Sequence, residues 1–158
     1  YKKSDFSFNE GIFELLRILT KKDFLIFIIT NQSGIARGFF TESDYKELTN
    51  YYLKILKTSG INISAVFHCP HHPDFSEKPF NDCSCRKPKP GLLLKAKEKY
   101  NIKMNESIAI GDSLRDLEAA YYSQVKTRIL ISKINLNSKF ITHKYKKISE
   151  CSKYLINI

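Results

Sequence analysis

The chain has 158 residues, 42% of them hydrophobic, which is the length of one domain with enough apolar surface for a single sizeable core. No apolar run approaches a membrane span and residues 1–10 lack the apolar core of a secretory leader, so the expectation is a soluble, cytoplasmic protein with free thiols. A net charge of +10 raises nucleic acid as a partner. Its lysines, however, are spread through every segment with only residues 144–147 clustered, and the reading is a solvated basic surface without nucleic-acid or membrane binding.

In chain order, Ile12, Phe13, Leu15, Leu16 and Leu19 recur at helical spacing and predict a helix over residues 8–20. Phe24 to Thr30 is a continuous apolar, β-branched run, as expected of a strand buried on both faces of a parallel sheet. Residues 31–38 form a polar, glycine-bearing loop. Thr41 and Asp44 make a capping-box pattern, and Tyr45, Leu48, Tyr52, Ile55 and Leu56 carry a helix to about Ser59. A second strand is expected over 61–67, a helix opened by Pro90 through Tyr100, and a third strand over 107–111. A helix over 114–124, a fourth strand over 127–131 and a last helix near 150–156 complete the chain. Strands alternating with helices define an α/β fold with a mostly parallel sheet, here as a single domain over 1–158.

Between the second strand and the Pro90 helix lies an unusual stretch. Cys69 and His71 stand one residue apart, and Cys83 and Cys85 repeat that spacing beyond a polar loop. Three thiolates and one imidazole close a tetrahedral zinc site, although paired zinc ligands more often have two to four residues between them. With all four positions filled by protein, such a zinc is structural. A disulfide between Cys83 and Cys85 is disfavoured because the two are too close for easy ring closure. Arg86 and Lys87 follow the last cysteine, so a metal there fixes where two cations point, towards an anionic substrate.

Ligands of open parallel sheets bind beyond the carboxyl ends of the strands. Thr30 closes the first strand, followed by Asn31, Gln32 and Ser33, and a hydroxyl beside a turn of backbone N–H groups makes a phosphate cradle. Asp112 follows Gly111 at the end of the third strand and suits an oxygen-seeking cation such as Mg²⁺. Both residues have plainer readings, Thr30 as a strand terminus and Asp112 as a helix cap. Ser113 and Asp116 fit a capping box, which weighs a structural role for Asp116 equally with a functional one. Lys87 as a point charge and Arg86 as a bidentate fork complete a phosphoryl-transfer set that lacks a nucleophile.

The runs Thr30–Gly38, Cys69–Pro73, Cys83–Pro88 and Gly111-Asp112 together resemble the haloacid dehalogenase superfamily, and within it the histidinol-phosphatase-related subfamily. The likeness runs from Tyr1 to about Ile131. It implies a Rossmann-like three-layer sandwich with a zinc-stapled loop. It also implies a monomeric phosphatase of a small sugar bisphosphate, with Mg²⁺ and Zn²⁺ as cofactors and an aspartyl-phosphate intermediate. The implied roles are phosphoryl stabilisation by Thr30 and Lys87 and substrate binding by Asn31, Gln32, Ser33, Arg86 and Ser113. Asp112 is the implied Mg²⁺ ligand, and Cys69, His71, Cys83 and Cys85 are the zinc ligands. The Ser33–Gly38 run resembles the heptose bisphosphate phosphatases more than the histidinol phosphatases, which stand as the alternative substrate class. Ser113 departs from the lysine usual there.

The family's sheet also contains a central strand that ends in an Asp-x-Asp motif and lies between the strands ending at Thr30 and Gly111. No Asp-x-Asp occurs in this sequence. The expectation is therefore that about 20–30 further residues, a strand and a loop, precede Tyr1 in the native protein. Without them, the reading becomes a non-catalytic, zinc-stabilised binding module.

Overall fold

The computed structural model describes residues 2–157, so Tyr1 and Ile158 lie outside the described residues. Among the described residues five α-helices and five strands follow one another, alternating as far as β4: α1 (Ile12–Lys21), β1 (Ile26–Asn31), α2 (Glu42–Thr58), β2 (Ile63–Cys69), α3 (Gly91–Tyr100), β3 (Ile108–Gly111), α4 (Leu114–Tyr122), β4 (Thr127–Ile131), β5 (His143–Tyr145) and α5 (Ile148–Ile156). Helix α1 starts four residues later than its periodicity predicts, because Gly11 takes a left-handed conformation at the N-cap and turns the chain there. The Thr41–Asp44 box forms as expected, with each residue's side chain bonding the other's backbone N–H. Strand β5 was not predicted. It is three residues long and carries no apolar run of its own.

Every strand pairing is parallel, but the strands form two sheets, β1-β2 and β3-β4-β5. Among the described residues β1 and β3 do not pair, so each presents one open edge where the resemblance implies a further strand. That gap also corrects the reading of β1 as buried on both faces. Only Ile26 is buried and the remaining positions are half-buried, since one flank lacks a neighbour.

Strand alternation distributes the side chains between two cores. Ile26, Ile63, Ile108 and Ile110 face a cluster with Leu15 and Leu19 of α1 and Cys151 and Leu155 of α5. On the other face, Phe27, Ile29, Ala65 and Phe67 pack with Leu92 and Ala96 of α3, and Ala109 packs with Ala120 of α4. Helices thus cover both faces, the three layers expected. Burial pushes the Cys151 thiol up to about 11, so it is an apolar packing element at neutral pH. No described helix is long and apolar enough to cross a membrane.

Candidate active site and metal centre

Cys69 ends β2 fully buried, packed with Phe67, Leu92 and Ala96. From it the chain leaves the sheet, circles through a short 3-10 turn (Phe80–Asp82) and returns at Cys83 and Cys85. One ligand atom from each of Cys69, His71, Cys83 and Cys85 falls within 4.8 Å of all the others. The Cys85 sulfur is 3.0 Å from that of Cys69, 3.2 Å from that of Cys83 and 3.4 Å from His71 Nδ1. Cys69 is 3.6 Å from Cys83 and 3.8 Å from His71 Nδ1. A zinc tetrahedron with Zn–S bonds of about 2.3 Å has edges of about 3.8 Å, so the four donors are gathered around the space of one such ion, with the sulfurs closer together than the ideal.

The three thiols perturb one another's ionisation. Burial pushes the Cys69 thiol up, and burial with its two sulfur neighbours pushes Cys85 up further. At Cys83, where burial also raises the value, hydrogen bonds from Cys85 and Cys69 outweigh it and the thiol is lowered. Three sulfurs this close cannot all ionise alone, and a divalent ion removes the obstacle. The His71 ring stacks on Phe80 with centroids 4.8 Å apart, which holds the imidazole in place.

The loop leads into Arg86 and Lys87, and several contacts fix both. Arg86 Nη1 donates to the His71 carbonyl at 3.0 Å, tying the guanidinium to a residue of the Cys/His group. Asn31 holds the Lys87 backbone from both sides: its Nδ2 donates to the Lys87 carbonyl and its Oδ1 accepts from the Lys87 N–H, each at 3.1 Å. Asn31, expected to touch substrate, lines the cavity and also braces Lys87 through its amide. Asn31→Ala leaves both Lys87 backbone groups unpaired, an expected loss of about 2 kcal/mol in urea unfolding. An unchanged midpoint would show the strut to be dispensable.

The Lys87 ammonium, with 12% of its side chain exposed, reaches the open edge of β1. It donates to the Ile29 carbonyl at 2.7 Å and pairs with Asp116 Oδ1 at 2.5 Å. Asp116 also accepts from the Ser113 N–H through its other oxygen, at 3.2 Å, completing the capping box of α4. One carboxylate thus both caps α4 and pairs with Lys87. Ser113 is turned to the helix, its Oγ accepting from Arg115 N at 3.2 Å.

Thr30, Asn31, Ser33, Arg86, Lys87, Asp112, Ser113, Arg115 and Asp116 line one cavity of about 250 Å³, where the carboxyl ends of β1 and β3 meet. Asp112 is exposed at its mouth. Gln32 is the one expected residue that does not line it. Its Nε2 instead donates to Thr30 Oγ1 at 3.0 Å, orienting that hydroxyl. Arg115, which sequence reading passed over, does line it.

The family model described as polynucleotide kinase 3 phosphatase matches residues 1–149. A D-glycero-alpha-D-manno-heptose-1,7-bisphosphate 7-phosphatase of Campylobacter jejuni is 42% identical over 150 residues, covering 95% of this chain and 82% of its own length. A D-glycero-beta-D-manno-heptose-1,7-bisphosphate 7-phosphatase of Escherichia coli K12 is 40% identical over 128 residues, covering 80% of this chain and 67% of its own length. Among solved structures, a D,D-heptose 1,7-bisphosphate phosphatase from B. bronchiseptica, complexed with magnesium and phosphate, aligns at a TM-score of 0.77 with 28% identity. It covers 94% of this chain and 83% of that one. A Mesorhizobium loti phosphatase of the haloacid dehalogenase type reaches 0.83 at 21% identity over 99% and 77%, a likeness of fold. Fold and site together define a phosphatase domain of the haloacid dehalogenase class. Within that class, the chain belongs to the family of the D-glycero-D-manno-heptose-1,7-bisphosphate 7-phosphatases.

Proposed function

We propose that the protein is a Mg²⁺-dependent phosphatase that removes the 7-phosphate of D-glycero-D-manno-heptose 1,7-bisphosphate. The observation that carries this reading is the convergence of Thr30, Lys87 and Asp112 on one polar cavity beside the Arg86 guanidinium. In it, the Thr30 hydroxyl and the Lys87 ammonium hold the transferred phosphoryl group, and Asp112 is the carboxylate of this chain that ligates Mg²⁺. Magnesium would neutralise phosphate charge as it builds on the transferred oxygens. Zinc would stay outside the chemistry, held by Cys69, His71, Cys83 and Cys85, and stiffen the loop that presents Arg86 and Lys87. Pre-ordering that loop lowers the entropic cost of capturing substrate.

The nucleophile belongs, on this reading, to a strand N-terminal to Tyr1 that fits between the open edges of β1 and β3. An Asp-x-Asp at its end would meet the same cavity. One aspartate would attack phosphorus to give an aspartyl-phosphate, and the other would act as general acid and base.

The test is phosphate release by the full-length native protein from both anomers of the heptose bisphosphate and from histidinol phosphate. Release from C7 of a heptose bisphosphate, dependent on Mg²⁺, is expected. Preferred turnover of histidinol phosphate would replace the substrate. A native mass equal to that of this chain alone, with no release from any of them, would leave a zinc-stapled binding module.

A further inference from the structure

Arg115 stands in the first turn of α4, where its charge opposes the positive end of the helix dipole. A cation there is locally unfavourable, and among the described residues no carboxylate lies within ion-pair distance to compensate it. Among the described residues its side chain makes one weak hydrogen bond, Nε to Ser113 Oγ at 3.5 Å. Yet it lines the reaction cavity. A residue that breaks a local rule without a structural gain points to a ligand.

The charges of the cavity say which ligand. Three cations, Arg86, Lys87 and Arg115, face two carboxylates, Asp112 and Asp116. Lys87 is committed to Asp116 and to the Ile29 carbonyl. Arg86 spends one nitrogen on the His71 carbonyl, which leaves most of its five N–H donors for other work. Arg115 has nearly all of its own. Two guanidinium forks at one mouth match a phosphate that is not the one being transferred.

We propose that Arg115, with Arg86, forms the subsite for the second phosphate of the bisphosphate. In this role Arg115 supplies the charge that Ser113, turned towards its helix, does not provide. The inference rests on the phosphatase reading above and assigns Arg115 as a specificity determinant.

The test is calorimetric titration of the full-length protein in magnesium-free buffer, where turnover does not intervene. Heptose 1,7-bisphosphate is compared with heptose 7-phosphate, which lacks the second phosphate. Wild type is expected to bind the bisphosphate about ten-fold or more tightly, as for hydrogen bonds to a charged group. Arg115→Gln should erase most of that preference and Arg115→Lys should keep part of it. Because Arg115 opposes the dipole, Arg115→Gln should melt at or above the wild-type temperature, unlike the loss of a structural residue. Absence of the preference in wild type, or its survival in Arg115→Gln, overturns the inference. A protein that shows the preference but releases no phosphate when Mg²⁺ is added keeps this inference and loses the phosphatase reading.

Discussion

Cys85→Ser is expected to release the zinc and lower the melting temperature by about 10 °C, while leaving Mg²⁺ dependence in place. Cys85 is the ligand in closest touch with all three others, at 3.0, 3.2 and 3.4 Å, so its loss opens the site more than any other single change. An ion joining Cys69 to Cys83 restrains the chain as a cross-link over 14 residues does, worth about 3 kcal/mol in the loop-entropy account. For a domain of this size, that is a shift of about 10 °C. The functional loss should appear as a raised KM, since Arg86 is tied to the His71 carbonyl and follows that loop when it loosens. Metal analysis, thermal melts and steady-state kinetics on one preparation read all three quantities. One zinc per chain retained in Cys85→Ser, or an unchanged melt, would sink the assignment of these four ligands. Loss of Mg²⁺ dependence together with zinc would mean that the two sites are not separable.

The Cys/His group was readable because its signal is local: four candidate ligands in two short pairs, with charge next to them. Strand and helix order was readable for the same reason, and Thr127–Ile131 was placed at its ends because polar residues bound an apolar run. What sequence reading missed depends on residues distant in the chain. The bonds of Asn31 to Lys87 span 56 positions, and nothing in the Asn-Gln-Ser run says that this amide braces a lysine backbone. Asp116 had a local signature, the capping box, which accounts for one of its oxygens. The other oxygen reaches Lys87 across the cavity, and no spacing encodes that. Arg115 did leave a signal, a cation in the first turn of a helix that an acidic residue would suit better. The three-residue β5 left none, because its pairing with β4 comes from the tertiary fold.

The ion pair of Lys87 with Asp116 yields the second large effect. Both side chains are largely removed from water, with 12% and 20% of their surfaces exposed. Removing one partner strands the other charge, so Asp116→Ala should cost about 3 kcal/mol, the low end for a buried pair because Asp116 keeps some solvent. Lys87→Met should cost a comparable amount. The double variant Lys87→Met with Asp116→Ala should be less destabilised than the sum by about 1–3 kcal/mol, since neither charge is then left alone. Strict additivity in urea unfolding would mean that the pair is not coupled. Gly111 offers an independent approach to the same contact. A Cβ at that position would lie 2.6 Å from Asp116 Cβ and 2.8 Å from its Oδ2, so Gly111→Ala must push the carboxylate off its seat. That variant keeps both charges yet should reproduce part of the Asp116→Ala loss in stability and weaken phosphate capture through a displaced Lys87. The glycine that ends β3 is therefore required by the α4 carboxylate packed against it as much as by any ligand, which explains why the strand end, the cap and Lys87 must move together.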